Sequence, residues 1–232
     1  MKYIVIGYGF LGSEISSYLS LNNKVIILSK SIKTLKKKNI EIIDYNNFKK
    51  NDFNKIFDQG DVIIFSAHPN KDSKLENKKF SKLFELIILC AKLNKVSQFL
   101  FLSSIKLYRE NKKLNESSPI HAYSNYTKLK LQCENKIHQL SNKTEMYFKI
   151  IRVSNVFGIP KNYKINFDNL LIPNMIIQSL KTKKIFLKNP NMYKDFIVIE
   201  DFLNKFLLIL NYNKKLSSVN TFNLGSYKSL SL

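Results

Sequence analysis

Three of the chain's six glycines fall in Gly7-x-Gly9-x-x-Gly12, directly after the β-branched run Tyr3-Ile-Val-Ile6 and directly before a helical pattern carried by Leu11, Ile15, Tyr18 and Leu19. Random placement of so few glycines would produce this spacing about 0.004 times in a chain of this length. Strand, glycine turn and helix in that order constrain the fold strongly. The glycines let the backbone turn tightly and approach a pyrophosphate, which then rests on the positive end of the helix. Gly7, Gly9, Phe10, Leu11 and Gly12 are therefore expected at a bound dinucleotide.

The following residues repeat the alternation. Lys24–Leu28, Ile40–Ile43, Asp61–Phe65 and Gln98–Leu102 read as strands, with a helix over Phe80–Leu93 and a polar loop over Asn70–Lys79. Strands alternating with helices predict an α/β fold, a Rossmann-type doubly wound parallel sheet. Residues 1–157 form the NAD(P)-binding part in this reading, and 158–232 a small substrate-binding part. The latter is expected to hold a helix over Leu170–Lys181, strands at Lys184–Leu187 and Phe196–Ile199, a helix over Asp201–Leu210 and a strand at Thr221–Leu224.

In such a sheet, ligands bind beyond the carboxyl ends of the strands. After the second strand stands Ser29-Lys30-Ser31, with Lys33 close behind, where NAD-binding chains place an acid. No carboxylate there would repel a 2′-phosphate and Lys30 could pair with one, so NADP is favoured slightly over NAD. Asp44-Tyr45 follow the third strand. Ser66-Ala67 follow the fourth, small enough for the cofactor to come close. His68 reads as a solvated loop residue. Ser103-Ser104 end the fifth strand, which sets Ser104 where chemistry can occur.

Tyr126 and Lys130 lie four apart at the start of a helix expected to run to about Gln139, so they share one face. An ammonium beside a phenol favours the phenolate and equips Tyr126 for proton transfer. The spacing alone is uninformative: with 12 Tyr and abundant Lys, chance supplies about two Tyr-x-x-x-Lys matches. The chain has three, starting at Tyr45, Tyr108 and Tyr126. Only Tyr126 opens a helix after a strand that ends in serine.

Composition narrows the function class. A net charge of +21 ordinarily suggests nucleic acid or an anionic membrane. The basic residues are almost all lysine, scattered rather than clustered, and Asn, Ile, Tyr and Phe are inflated alongside them, so no nucleic-acid partner is expected. No apolar run reaches the ~20 residues that span a bilayer, and the first apolar run is too short for a signal peptide. Cys90 and Cys133 fit no metal or redox spacing. A cytoplasmic protein without membrane or metal, with a homodimer possible, is the expectation.

Several further pieces, taken together, resemble the extended short-chain dehydrogenases/reductases, the NAD-dependent epimerase/dehydratase family. They are the glycine turn; Asp44; Ser103-Ser104-Ile-Lys-Leu-Tyr108; Tyr126-x-x-x-Lys130-Leu-x-x-Glu134; Arg152-Val-Ser-Asn155-Val-Phe-Gly158; Lys194-Asp195-Phe196-Ile197 with Glu200-Asp201; and Asn223-Leu-Gly225-Ser226. Their order and spacing along nearly the whole chain make the resemblance specific. It implies a nucleotide-activated sugar as substrate, with hydride passing between a sugar carbon and the nicotinamide. Tyr126 would be the general acid/base. Lys130 would assist it and hold the nicotinamide ribose, and Ser104 would bond the reacting oxygen. Ser104, Asn155, Asn169 and Lys194 are candidate substrate contacts, with Asn174 a further one.

The chain departs from the pattern at instructive points. Its glycine turn is one residue shorter than the usual Gly-x-x-Gly-x-x-Gly. Ile105-Lys106 replaces the acidic pair of the family's sugar dehydratases, which disfavours elimination of water. Lys194 replaces an arginine, keeping the charge without the bidentate fork. The chain stops soon after Ser226, as a fragment or with an abbreviated sugar pocket. The expected function is that of an NAD(P)-dependent sugar-nucleotide epimerase or keto-reductase. The alternative is a non-catalytic NAD(P)-binding regulatory or RNA-associated protein on the same fold.

Overall fold

A computed structural model describes residues 1–30, 38–69, 73–109, 114–142, 144–161, 170–187, 193–213 and 219–231. Its main sheet is built from β1 (Lys2–Ile6), β2 (Lys24–Ser29), β3 (Ile40–Asp44), β4 (Val62–Phe65), β5 (Gln98–Ser104), β6 (Tyr147–Val153) and β9 (Val219–Leu224). The strand order is β3-β2-β1-β4-β5-β6-β9 and every pair is parallel. A smaller sheet joins β7 (Asn155–Phe157), β8 (Tyr193–Val198) and β10 (Ser229–Ser231) in the order β10-β8-β7. The chain after Gly158 thus serves both sheets, since β9 completes the main one.

The strands bury both faces, so they read as continuous apolar runs rather than as alternation. Ile4, Ile6, Ile63, Phe65, Phe99 and Phe101 face one core, which α2 (Lys50–Ile56), α3 (Lys74–Leu93) and α4 (Asn125–Leu140) cover with Phe53, Phe84 and Ile137. Val5, Ile27, Ile64, Leu100 and Val153 face the other, covered by α1 (Phe10–Leu19) and α6 (Ile199–Asn211) through Ile15, Leu19, Phe202 and Phe206. The result is a three-layer sandwich. Phenylalanines dominate the first core: Phe65 meets Phe84 edge to face with centroids 4.8 Å apart.

Several features differ from the sequence reading, the unexpected short strands β7 and β10 among them. β6 escapes it because Lys149 and Arg152 interrupt the apolar run, yet both are buried, one against carbonyls and the other against a carboxylate. α2 is likewise unanticipated. α3 begins at Lys74 rather than Phe80, because Ser73 accepts the Glu76 amide at 3.2 Å and starts the helix inside a polar stretch. The strand expected at Lys184–Leu187 does not form. Among the described residues no strand pairs with that segment, which instead folds back on α5 (Leu171–Thr182), whose Gln178 side chain accepts the Phe186 amide at 2.8 Å.

Candidate active site

The carboxyl ends of β1, β4, β5 and β6 converge on one cleft of about 770 Å³. Sheet order reverses between β1 and β4, the place where a crevice opens in this fold. Gly7 leaves β1 with φ +103°, and an added Cβ would come within 2.6 Å of the Ala67 backbone. Gly12 has no room either, because its Cβ would overlap the Gly7 carbonyl. Gly9 caps α1 facing open space, and the first turn of α1 carries no acid. These residues fit a diphosphate: a backbone approached closely, and an electropositive helix end free of carboxylates.

The fourth strand ends as part of the same device. Ser66 donates to the Gly7 carbonyl at 2.9 Å and lines the cleft. Ala67, expected at the cofactor, is instead buried against Gly7 and does not line the cleft. Its backbone is what leaves Gly7 no room for a side chain. Tyr45 is also displaced from expectation: it is 4% exposed in the core, and burial, then Asp44, pushes its phenol up to about 12. Lys30 is exposed just past β2, and Ser29 pairs in register with Asp44 across β2 and β3. Lys33 and Asn169 lie outside the described residues.

Tyr126 sits in the first turn of α4. The helix starts there because Ser124 accepts the Thr127 amide at 3.1 Å while Thr127 Oγ1 accepts the Ser124 amide at 2.9 Å. Lys130 follows one turn later. It is 6% exposed, donates to the Leu102 carbonyl at 2.7 Å and stands 5.9 Å from the centre of the Tyr126 ring. Ser104 ends β5, where its hydroxyl accepts the Lys106 amide at 3.2 Å, leaving its own proton to donate. Ser104, Tyr126, Lys130, Ser66, Gly9, Phe10, Leu11 and Gly12 line the cleft together.

Two residues join them that the sequence reading did not place in the site. His68 stacks on Tyr126, centroids 4.9 Å apart and planes 5° from parallel. Its Nδ1 lies 2.9 Å from the Pro69 carbonyl, which only accepts, so Nδ1 is the nitrogen that donates there. Lys106 reaches over the same phenol ring at 5.9 Å. Neither belongs to a recognisable spacing; only the fold brings them to Tyr126.

Across the cleft stand Asn155, Asn174 and Lys194, with Phe157, Leu171, Ile172 and Phe196 as an apolar wall. Asn155 donates to the Asp195 carbonyl at 2.9 Å and so ties β7 to β8. A second groove, about 680 Å³ between α3 and α4, contains none of the expected site residues.

A model of the NAD dependent epimerase/dehydratase family matches residues 3–225. The chain belongs to that family. Comparison with curated proteins finds no match. Among solved structures, this epimerase/dehydratase family member is similar to the UDP-glucuronic acid 4-epimerase from Bacillus cereus in complex with NAD. The two are 20% identical with a TM-score of 0.83, covering 100% of this chain and 79% of that one. The UDP-N-acetylglucosamine 4-epimerase from Methanobrevibacter ruminantium M1, in complex with UDP-N-acetylmuramic acid, is 23% identical, TM-score 0.79, covering 100% and 79%. TunA, an NAD dependent NDP-hexosamine 5,6-dehydratase of tunicamycin biosynthesis, is 19% identical, TM-score 0.78, covering 99% and 77%.

Family motifs that do not line the cleft of this epimerase/dehydratase brace it. Glu134 on α4 accepts Arg152 of β6 through Nε at 3.1 Å and Nη2 at 2.7 Å, and Ser103 of β5 at 2.5 Å. Arg152 Nη1 donates to the Tyr108 hydroxyl at 2.7 Å, which donates to Asn223 of β9 at 2.8 Å. Burial opposes the arginine's charge, but its hydrogen bonds and attraction to Glu134 outweigh burial and hold its pKa above the ordinary value. Asp195 accepts the Ser226 and Tyr227 amides, each at 2.8 Å, and Gly225 leaves no space for a Cβ beside that carboxylate. Among the described residues no group of His, Cys, Asp and Glu could hold a metal, and no helix is long and apolar enough to cross a membrane.

Proposed function

We propose that the protein is an NAD(P)-dependent oxidoreductase of nucleotide sugars, an epimerase or keto-reductase working at a sugar carbon. One observation carries the reading: Ser104, Tyr126 and Lys130 share a cleft with the glycine turn and the open end of α1. Gly9, Gly12 and Ser66 would hold the diphosphate of the dinucleotide, whose nicotinamide supplies and accepts hydride. Tyr126 moves a proton between its phenol oxygen and the reacting sugar oxygen. Lys130, fixed by the Leu102 carbonyl, keeps a positive charge beside that phenol and has further N–H groups for a ribose hydroxyl. Ser104 donates to the same sugar oxygen. The wall of Phe157, Leu171, Ile172 and Phe196 excludes water, which strengthens each of these electrostatic contacts.

Asn155, Asn174 and Lys194 would contact the nucleotide side of the substrate. Nucleotide sugars named with the similar structures, UDP-N-acetylmuramic acid among them, support that substrate class. The Ile105-Lys106 pair, with no carboxyl after Ser104, favours epimerisation or reduction over dehydration. NADP is preferred modestly, since Lys30 favours a 2′-phosphate while Asp44, in register with Ser29, opposes it. NADPH should change its fluorescence on binding at lower concentration than NADH; the reverse order contradicts the preference. The test of function is turnover of a panel of UDP- and dTDP-sugars followed by NMR with added NAD(P). Formation of an epimer or a reduced sugar is expected, and a complete absence of turnover with every member would refute the reading.

A further inference from the structure

The cleft is charged on one side only. Lys106, Lys130 and Lys194 line it, and none of its described lining residues is Asp or Glu. Two of these lysines are accounted for: Lys130 is tied to the Leu102 carbonyl beneath Tyr126, and Lys194 is the second residue of the substrate-side strand β8, where the diphosphate of a nucleotide sugar would bring its charge. Lys106 is not. It lies two residues after Ser104, to whose hydroxyl its backbone amide donates. Its ammonium stands 5.9 Å from the centre of the Tyr126 ring, as close as that of Lys130. The cation is therefore at the reacting end of the cleft, among the groups that would surround the sugar ring. No ion pair among the described residues engages it, and its side chain is exposed.

A neutral hexose presents only hydroxyls there, and a hydrated ammonium gains little by exchanging water for them. A carboxylate on the sugar gains a charge-assisted hydrogen bond. We propose that the substrate is a nucleotide sugar whose ring bears a carboxylate, of the uronic-acid type, and that Lys106 binds that carboxylate. The proposal rests on the nucleotide-sugar reading above and narrows it. Lys106 acts as a specificity-determining residue, holding the sugar in register with Ser104 and Tyr126 and taking no part in proton transfer.

The test uses the full chain loaded with NAD(P) and two probes, UDP-glucuronate and UDP-glucose. The ratio of kcat/KM for the acid to that for the neutral sugar is measured in the wild type, Lys106→Met and Lys106→Arg. The wild-type ratio should exceed about ten, and Lys106→Met should lower it by about ten- to a hundredfold, the range for a hydrogen bond to a charged group. Lys106→Arg, which keeps the charge, should retain most of the preference. A wild-type ratio near one, or a Lys106→Met variant that loses both sugars equally, overturns the role of Lys106 while leaving the nucleotide-sugar reading intact. Failure to bind either probe, by calorimetry, overturns the uronate proposal, and the nucleotide-sugar reading falls with it only if the wider panel of UDP- and dTDP-sugars fails too.

Discussion

Replacing Glu134 by alanine should be among the most damaging single changes to this fold. Its carboxylate is 2% exposed and receives three hydrogen bonds, two from the Arg152 guanidinium and one from Ser103. Removing it leaves the arginine, 5% exposed, with its charge uncompensated, since its remaining partners are the Tyr108 hydroxyl and the Glu116 carbonyl. Breaking a buried ion pair by removing one partner costs about 3–5 kcal/mol. In a chain of this size 1 kcal/mol corresponds to about 2–4 °C in Tm, so a fall of roughly 6–20 °C is expected. The assay is urea unfolding followed by far-UV circular dichroism, chosen because the chain has no tryptophan. The double variant Glu134→Leu/Arg152→Met should be far less destabilised than the sum of the single changes, since it removes the pair together with its desolvation cost. A loss below about 1 kcal/mol for Glu134→Ala, or strict additivity in the cycle, would refute the argument that this pair locks α4 to β5 and β6.

Two further predictions concern groups buried or stacked in unusual company. Lys149 is fully buried, donates to Gln98 Oε1 and to the Ile209 and Leu210 carbonyls at the end of α6, and burial pushes its pKa down from 10.5 to about 8. Between those values the unfolded chain binds more protons than the folded one, so the contribution of Lys149 to stability should rise with pH through that window, by up to about 3 kcal/mol. Titrating groups away from Lys149 cancel in a comparison with Lys149→Met, and adding Tyr147→Phe to both proteins removes the raised tyrosine that its ammonium overlies; a difference that stays flat from pH 7 to 10 contradicts the prediction. His68→Ala removes a ring stacked on Tyr126 at 4.9 Å. Such contacts are worth about 0.5–1.5 kcal/mol, so kcat should fall by about two- to twelvefold. An unchanged kcat with an unchanged pH profile would mean that the stack does not position Tyr126.

The parts of the site legible in the sequence are those set by short-range backbone demands. Gly7 and Gly12 are written by the turn itself, because no other residue fits, and Tyr126 and Lys130 share a face through helical periodicity alone. The order of pieces then places Ser104 at the end of β5. What the sequence conceals depends on contacts between distant segments. The strand Tyr147–Val153 is masked by Lys149 and Arg152, whose burial makes sense only once the carbonyls at the end of α6 and the Glu134 carboxylate are in place. Ala67 reads as a cofactor contact because its smallness is visible, while its close packing on Gly7 is not. His68 reaches Tyr126 from the loop after β4 and Lys106 from the 3-10 turn after β5, and only the fold sets their distances to its ring.

Tyr126 is expected to perform proton transfer in a cleft that binds a nicotinamide dinucleotide independently of it. Tyr126→Phe keeps the ring on which His68 stacks and removes only the hydroxyl. Dinucleotide affinity, measured by cofactor fluorescence, and turnover of a nucleotide sugar should be compared in this variant and the wild type. The account predicts affinity within about a factor of three and turnover lower by about 10²–10⁴. Wild-type turnover in Tyr126→Phe would contradict it.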